Sequence, residues 1–284
     1  ERSEQEEMAP LLDKEALADV RKRALSPEAP VARGMAENGD VFFQHREACN
    51  EQYDAVADIV EDYMGKISTI TGREYHLFNY YGAKDAERII IAMGSVTQAA
   101  QEAIDFLIEK GEKVGLISVH LFRPFSVKHF LSAIPSTVKS IAVLDRTKEP
   151  GSNGEPLLQD VLAAFYGKAN APVIVGGRYG LASKDTTPAM IISIFDNLAL
   201  PMPKNHFTVG IVDDVTFTSL PQVPEVALGD KSTYEAKFYG LGADGTVGAN
   251  KNSVKIIGEN TNKYCQAYFA YDSKKSGGFT CSLL

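Results

Sequence analysis

The stretch that decides the fold is RIIIAMGSVTQAAQEAIDFLIEKGEKVGLISV, residues 88–119. It opens with an apolar run that ends at Gly94 and Ser95, continues as an amphipathic helix, and closes with a second apolar run. Strands that are apolar on both faces and alternate with amphipathic helices are typical of a parallel sheet covered by helices on both sides. The stretch therefore predicts a strand–helix–strand unit, and its crossover should be right-handed.

The same alternation continues towards the C-terminus, where three more apolar runs are separated by two helical patterns. With the first unit they predict an α/β domain at about 86–215. Its sheet should be mainly parallel and five-stranded, with helices on both faces. The additional strands are predicted at 139–146, 171–177 and 205–214, and the helices between them at 154–168 and 186–200.

Composition excludes several classes of protein. The chain has 284 residues, of which 44% are hydrophobic and 23% charged, as in ordinary globular proteins. A net charge of −8 disfavours nucleic acid as the main partner, and no apolar run approaches the ~18 residues that cross a bilayer. The three cysteines, Cys49, Cys265 and Cys281, lack the spacing of a zinc or iron–sulfur site, and they favour a reducing compartment.

The segments on either side of the α/β domain lack a complete core of their own. Before it, helical periodicity occurs at 12–26 and 51–68, without an accompanying set of strands. After it, residues 216–234 show no periodic element, which is typical of a linker, and a new unit begins near residue 235. Such flanks cannot bury enough surface to be stable alone. We therefore expect the chain to be a segment of a longer polypeptide.

The new unit contains a glycine-rich loop. Gly240, Gly242 and Gly245 fit the template G-x-G-x-x-G after a predicted strand and before a predicted helix at 252–261. A second strand is predicted at 264–272, which would complete a βαβ unit. Glycine lets the backbone approach a phosphate closely, and a helix N-terminus attracts anions. The loop therefore favours phosphate binding, with a purely structural tight turn as the alternative.

The residues after the second strand bear on which phosphate compound would bind. Asp272 stands where dinucleotide-binding folds place an acid on the ribose, but Lys274, Lys275 and Ser276 follow at once. Such a cluster suits a phosphate on the ribose, as in NADP or coenzyme A. Residues 240–278 also carry five lysines against three acidic residues, in an otherwise acidic chain. A solvated Lys-Lys turn is the alternative interpretation.

Basic side chains in the loops after the parallel strands should gather at one edge of the sheet. They form either a docking surface or ion pairs, with Asp145, Glu149 or Asp185 for example, and we favour a structural or interface role. The five histidines show no metal spacing, and the chain contains no nucleophile elbow and no P-loop. We therefore assign no catalytic residue. The basic residues concerned are Arg123, Arg146, Lys148, Arg178 and Lys184.

Several long motifs resemble one enzyme family. AVLDRTKEPGSNGEPLLQDV (142–161), VGGRYGLASKDTTP (175–188) and FTVGIVDDVTFTSL (207–220) resemble the core of the pyruvate:ferredoxin (flavodoxin) oxidoreductases. KFYGLGADGTVGANKNSVKIIGE (237–259) and YFAYDSKKSGGFTCS (268–282) resemble the beginning of the next domain of the same enzymes. The resemblance covers nearly the whole chain, with the first forty residues the weakest part.

The resemblance implies an enzyme that oxidatively decarboxylates pyruvate with coenzyme A and reduces ferredoxin or flavodoxin. It implies a homodimer that uses thiamine diphosphate with Mg²⁺ and 4Fe–4S clusters, bound outside this segment. It also implies a location in the cytoplasm of a prokaryote, or in an anaerobic organelle or mitochondrion. Residues 1–85 would end the pyrimidine-binding domain, 86–215 would form a domain similar to the C-terminal domain of transketolases, and 235–284 would begin the coenzyme A-binding domain.

Coenzyme A contacts are the only site residues that the resemblance carries onto this chain. The GDG motif for thiamine and the CxxCxxCxxxC motif for clusters are missing from it. Two alternatives stay open: a relative fused to a flavin reductase that reduces NADP, and a non-catalytic α/β binding module. Facing the diphosphate would be Gly242, Gly245, Thr246, Asn250 and Lys251, and facing the 3′-phosphate would be Ser273, Lys274, Lys275 and Ser276.

Overall fold

A computed structural model describes residues 4–32, 34–226, 228, 232–241, 244–271 and 279–284. The helices within these ranges are α1 (Gln5–Met8), α2 (Lys14–Lys22), α3 (Phe42–Ala48), α4 (Asn50–Thr71), α5 (Val96–Glu109), α6 (Val127–Ala133), α7 (Pro156–Phe165), α8 (Pro188–Leu198) and α9 (Thr246–Asn260). The strands are β1 (Phe78–Gly82), β2 (Arg88–Ala92), β3 (Val114–Val119), β4 (Ser140–Asp145), β5 (Val173–Arg178), β6 (Phe207–Thr208), β7 (Lys237–Leu241), β8 (Tyr268–Tyr271) and β9 (Phe279–Leu283).

The main sheet is mostly parallel, which confirms the predicted α/β class. Its strand order is β1-β3-β2-β4-β5-β6, and all neighbours after the first pair run parallel. Ile90 pairs with Leu116 on one side and with Ala142 on the other. Every residue of β3 and β4 is buried, because both faces of these strands are covered by helices.

The sheet has six strands, so the predicted number of five was wrong. β1 adds an antiparallel edge strand, with Tyr80 paired to Ile117 on β3. Its sequence, FNYYG, contains three aromatic residues, an asparagine and a glycine, and it lacks the continuous aliphatic run of the inner strands. Gly82 closes this strand with a φ of +131°, and a Cβ there would collide with the backbone of Val114 and Gly115. Glycine is therefore required at the corner where β1 leaves the sheet.

The far edge also differs from expectation, because the strand predicted at 205–214 contains only the two residues of β6. His206 before it has a φ of +51°, and the chain turns again at Gly210. Thr208 instead exchanges hydrogen bonds with Thr218 and Leu220, at 3.0 and 2.9 Å. Part of the segment predicted as a linker is thus bonded to the main sheet. The predicted domain boundaries themselves stay predictions.

Two cores lie on opposite faces of the main sheet. Ile90, Leu116 and Leu144 pack with α5 and α8, whereas Ile89 and Ile141 pack on the other face with α6 and α7. Adjacent residues of β2 thus serve different cores, as the alternation of side chains along a strand requires. On the second face four aromatic rings pack edge-on or tilted, at centroid separations of 5.1–6.1 Å: Phe78, Phe125, Phe130 and Phe165.

The two helices predicted before the main domain are present as α2 and α4. Asp13 caps α2 by accepting the N–H of Ala16 at 2.9 Å. α4 ends at Gly72, whose φ of +71° is typical of a helix C-terminus, and it packs against the second core through Val60 and Met64. Among the described residues before Ala57, none is buried. The helices of the N-terminal segment thus join the main core through α4, from Ala57 onwards.

The C-terminal unit has a different strand order from the predicted βαβ unit. β9 lies between β7 and β8 and runs antiparallel to both, so β7 and β8 are parallel to each other but are not neighbours. The prediction of a strand–helix–strand path is correct, and the implied pairing of its two strands is wrong. A split arrangement of this kind leaves room for a third strand between the parallel pair.

Candidate ligand-binding loop

The glycine-rich loop joins β7 to α9, and Asp244 holds its described part together. The Asp244 carboxylate accepts hydrogen bonds from the N–H of Thr246 at 3.0 Å and of Leu241 at 3.2 Å, and a short one from the Thr246 hydroxyl. The Thr246 hydroxyl, then its N–H, lower the pKa of Asp244. The loop therefore carries a fixed negative charge beside the N-terminus of α9.

The glycines of this loop have different roles. A Cβ at Gly240 would collide with the carboxylate of Asp244 and the hydroxyl of Thr246, so this glycine is needed for the internal packing of the loop. Gly245 precedes α9 with a φ of +89°. Among the described residues, none has an atom within 4 Å of the position of a Cβ on Gly245 or Gly248. The open side of the helix N-terminus is the side that a ligand can approach.

Two predicted ligand contacts point into the protein. Thr246 and Asn250 are buried, and the side-chain amide of Asn250 donates to the carbonyl of Leu283 on β9 at 3.1 Å. The Asn250 Oδ1 atom is buried and has no partner among the described residues. These contacts give Asn250 a role in holding α9 against β9.

The other predicted contact in the described part of α9, Lys251, is exposed, with its Nζ 5.6 Å from the ring centroid of Phe269. The structure thus places Gly245 and Lys251 on or next to one helix and leaves both accessible. The remaining candidates lie outside the described residues: Gly242, Ser273, Lys274, Lys275 and Ser276.

The basic residues at the edge of the main sheet hold loops in place. Arg123 pairs with Asp160, and not with the carboxylates suggested by the sequence. Arg146 donates from Nε to the carbonyl of Gly180 at 2.9 Å. Arg178 donates to the carbonyl of His206 at 2.6 Å. These contacts support the structural role expected for this group.

Two carboxylates with organising roles were missed in the sequence. Asp145 is buried and accepts the N–H groups of Leu157 and Leu158 at 2.9 and 3.1 Å, so it anchors the start of α7. Burial raises the pKa of Asp145, against the opposing effect of these donors. Asp213 holds the turn after β6 through several hydrogen bonds, of which the hydroxyl of Thr216 lowers its pKa most. The pattern DDVTFTS, in which hydroxyl residues follow an aspartate, is the signal that indicates such a turn.

The described part of the chain has neither a helix that could span a membrane nor a cluster of metal-binding side chains. No helix there is both long and apolar enough to cross a bilayer. Within the same residues, no three His, Cys, Asp or Glu side chains stand together as a metal site would require.

Part of the chain matches a family model, and nearly all of it matches a segment of longer relatives. Residues 86–191 match the family model "Pyruvate:ferredoxin oxidoreductase core domain II". The chain matches a segment of these oxidoreductases. A pyruvate-flavodoxin oxidoreductase of Enterobacter agglomerans is 61% identical over 98% of the chain, and the pyruvate:ferredoxin oxidoreductase of Moorella thermoacetica is 56% identical over 99%. The resemblance predicted from the sequence is thereby confirmed.

The matched segment is a minor part of each relative. The chain spans 24% of the Enterobacter protein and 24% of the Moorella protein. A solved 2-oxoglutarate:ferredoxin oxidoreductase from Magnetococcus marinus, with 2-oxoglutarate, coenzyme A and succinyl-CoA bound, is similar over 61% of this chain and 28% of its own. That similarity has a TM-score of 0.38 and 20% identity, too low to transfer any ligand.

Proposed function

We propose that this chain is part of a pyruvate:ferredoxin or pyruvate:flavodoxin oxidoreductase. In that reaction pyruvate and the thiol of coenzyme A give acetyl-CoA, CO₂, one proton and two electrons, and the electrons pass to ferredoxin or flavodoxin. The observation that carries the proposal is the 61% identity with a pyruvate-flavodoxin oxidoreductase over nearly the whole chain. Because the chain spans only a quarter of that relative, the activity is assigned to the longer polypeptide.

The resemblance implies thiamine diphosphate with Mg²⁺ and 4Fe–4S clusters, which would supply carbanion stabilisation and electron transfer. We assign none of them to residues of this chain. The contribution of the main sheet is structural: Asp145 fixes the start of α7, and Arg178 fixes the loop before β6. These contacts hold the loops at one edge of the main sheet in defined positions.

We assign part of the coenzyme A site to the loop between β7 and α9. Gly245 and Gly248 leave the N-terminus of α9 open, and Lys251 is exposed on the same helix, so these residues suit a diphosphate. Thr246 and Asn250 already have internal partners, which suits a supporting role. Contacts of Ser273, Lys274, Lys275 and Ser276 with the 3′-phosphate stay a prediction.

The test of the proposed function is acceptor reduction by the full-length enzyme. We expect reduction of ferredoxin or flavodoxin that requires both pyruvate and coenzyme A and yields acetyl-CoA. Reduction of NADP⁺ under the same conditions, without reduction of either protein, would assign the chain to the NADP-reducing relatives. Absence of any pyruvate-dependent reduction by the cofactor-loaded enzyme would refute the proposal.

We further propose that the full-length enzyme is a homodimer in a reducing compartment, the cytoplasm of a prokaryote. The cysteines Cys49, Cys265 and Cys281 are free thiols, which is compatible with such a compartment. Light scattering of the purified enzyme would give the mass of the assembly. A mass equal to one chain would contradict the dimer.

A further inference from the structure

Three apolar side chains project from the turn between β6 and the returning segment 218–220. Val212, Val215 and Phe217 are 77%, 81% and 75% exposed. We call these three residues the apolar tip. Single exposed apolar residues are common on protein surfaces, but three in six residues of one turn mark an interaction site more strongly.

The turn that carries the apolar tip is held rigidly from within by Asp213. Its carboxylate accepts the N–H groups of Val215, Thr216 and Thr218 at 3.1, 2.9 and 2.9 Å. It also accepts the hydroxyl groups of Thr216 and Thr218, at 2.6 and 2.5 Å. The Asp213 carboxylate therefore accepts five hydrogen bonds within the turn, while the apolar side chains of the turn are left in solvent.

Hydrogen bonds from β5 and from the segment before β6 also hold this turn. Arg178 on β5 donates to the hydroxyl of Thr218 at 3.0 Å, and the ammonium group of Lys204 donates to the carbonyl of Ser219 at 3.1 Å. The hydroxyl of Ser219 accepts the N–H of Asp213 at 2.8 Å. A turn fixed in this way loses little conformational entropy when it binds a partner.

The backbone at the apolar tip is strained. Phe217 has a φ of +56°, in the left-handed region that non-glycine residues with large side chains rarely adopt. The surrounding hydrogen bonds impose this conformation, and it directs an aromatic side chain away from the protein with three quarters of its surface exposed. Strain of this kind concentrates at functional contacts.

We propose that the apolar tip docks into an apolar pocket of another domain of the same polypeptide, a proposal that rests on the proposed function. The relatives are about four times as long as this chain, so most of their surface lies in other domains. The turn from Ile211 to Ser219 carries two aspartates and no basic residue. It therefore suits a pocket with a basic residue at its rim.

The test is hydroxyl-radical footprinting of the full-length enzyme, with modification of Phe217 measured by mass spectrometry in the native and the denatured enzyme. We expect native modification to be reduced roughly tenfold, because the core of a docked contact excludes water. Tyr166, which is 90% exposed on the same domain, is the internal reference. Modification of Phe217 within about twofold of the denatured enzyme would refute docking, because a side chain this exposed would then be free in the assembly.

Binding of the apolar tip to a second copy of the chain, or to the electron carrier, would give a different pattern of protection at Phe217. Protection that disappears on dilution of the enzyme would indicate a second copy of the chain, and protection that requires added flavodoxin or ferredoxin would indicate the electron carrier; either result overturns the proposal. Phe217→Ser should lower the thermal inactivation temperature of the full-length enzyme, whereas Phe217→Leu and Tyr166→Ser should leave it nearly unchanged. An equal temperature for Phe217→Ser and wild type would also count against docking.

Failure of this inference and failure of the proposed function are separable. Full protection of Phe217 in an enzyme that does not act on pyruvate would leave the docking inference standing and refute the function. Reactive Phe217 in an enzyme that reduces flavodoxin with pyruvate would do the reverse.

Discussion

Glu61 on α4 and His76 before β1 lie 2.6 Å apart, measured from Oε1 to Nδ1. The second oxygen of Glu61 accepts the N–H of Leu77 at 2.9 Å. Burial raises the pKa of Glu61, but the hydrogen bonds from His76 and Leu77 outweigh it and the pKa is lowered. One carboxylate thus fastens the N-terminal helical segment to the edge of the main sheet.

The lowered pKa of Glu61 fixes the sign of a pH effect. The stabilisation is fully present above the pKa of Glu in the unfolded chain, about 4.3, and is lost as the pH falls through the lower pKa of Glu61 in the folded chain. Glu61→Gln should therefore speed hydrogen exchange at the Leu77 amide of the full-length enzyme at pH 7, after correction for intrinsic rates. The difference should vanish in strong acid.

Asp62→Asn is the matched control for this variant. Asp62 is exposed and pairs with Lys66 at 2.7 Å on the outer side of α4, an arrangement that contributes little to stability. Equal changes in hydrogen exchange at Leu77 for the two variants at pH 7 would show that the contacts of Glu61 with His76 and Leu77 do not stabilise this region specifically.

Lys251 should contribute to coenzyme A binding through its charge. In the full-length enzyme, Lys251→Ala should raise the KM for coenzyme A roughly tenfold, the cost of a charged contact, and leave the KM for pyruvate unchanged. Lys255→Ala is the control, because Lys255 lies one turn further along α9 and faces Glu259 at 3.8 Å. If both variants behave alike, the site does not lie at this end of α9.

Lys274 and Lys275 are predicted from the sequence alone to contact the 3′-phosphate of coenzyme A. The double substitution Lys274→Ala and Lys275→Ala should raise the KM for coenzyme A roughly tenfold or more. Steady-state kinetics with pyruvate saturating would measure the change. An unchanged constant would mean that these lysines are surface residues only.

Asp244 places a negative charge where a diphosphate would approach. Asp244→Asn keeps an acceptor for Thr246 and removes the charge, so the KM for coenzyme A should fall by about fivefold, the effect of removing roughly 1 kcal/mol of repulsion. The change should shrink as ionic strength rises. A KM that stays constant while Lys251→Ala raises it would mean that the phosphates bind away from Asp244.

Two glycines of the loop should respond oppositely to alanine. Gly240→Ala forces its Cβ against Asp244 and Thr246, so it should open the loop and speed hydrogen exchange in α9. Gly248→Ala meets no atom of the described residues within 4 Å and should stabilise α9 by ~0.5–1 kcal/mol. Exchange in α9 that is faster in the second variant than in the first would contradict this account of the loop.

The inner strands were predictable because their sequences are continuously apolar. β2 to β5 follow directly from runs such as RIIIA and SIAVLD, since only strands buried on both faces need such runs. β1 and β6 lie at the edges of the sheet, where one side has no neighbouring strand and the apolar signal weakens. Their pairing depends on residues far along the chain, such as Thr218 for β6.

The order of elements around the candidate site was predictable, whereas the hydrogen bonds within it were not. The strand–loop–helix order around Gly245 and the exposure of Lys251 match the sequence-based expectation. The internal bonds of Asp244 and the burial of Asn250 were not foreseen, because both depend on how the loop and β9 close around α9. A sequence template identifies which residues follow a strand. It does not distinguish residues that make contacts within the protein from residues that are accessible to a ligand.

Because β9 lies between β7 and β8, neither of these strands can pair in this sheet until β9 has been synthesised. Lys237 at the start of β7 pairs with Leu283 at the end of β9, and β9 is the one strand that pairs with β7 among the residues that the structure describes. A nascent chain that has exposed β7, α9 and β8 therefore holds two unpaired strands until β9 emerges between them. If translation pauses before β9 is synthesised, β7 and β8 expose unpaired backbone N–H and C=O groups, which favour aggregation unless a chaperone binds them.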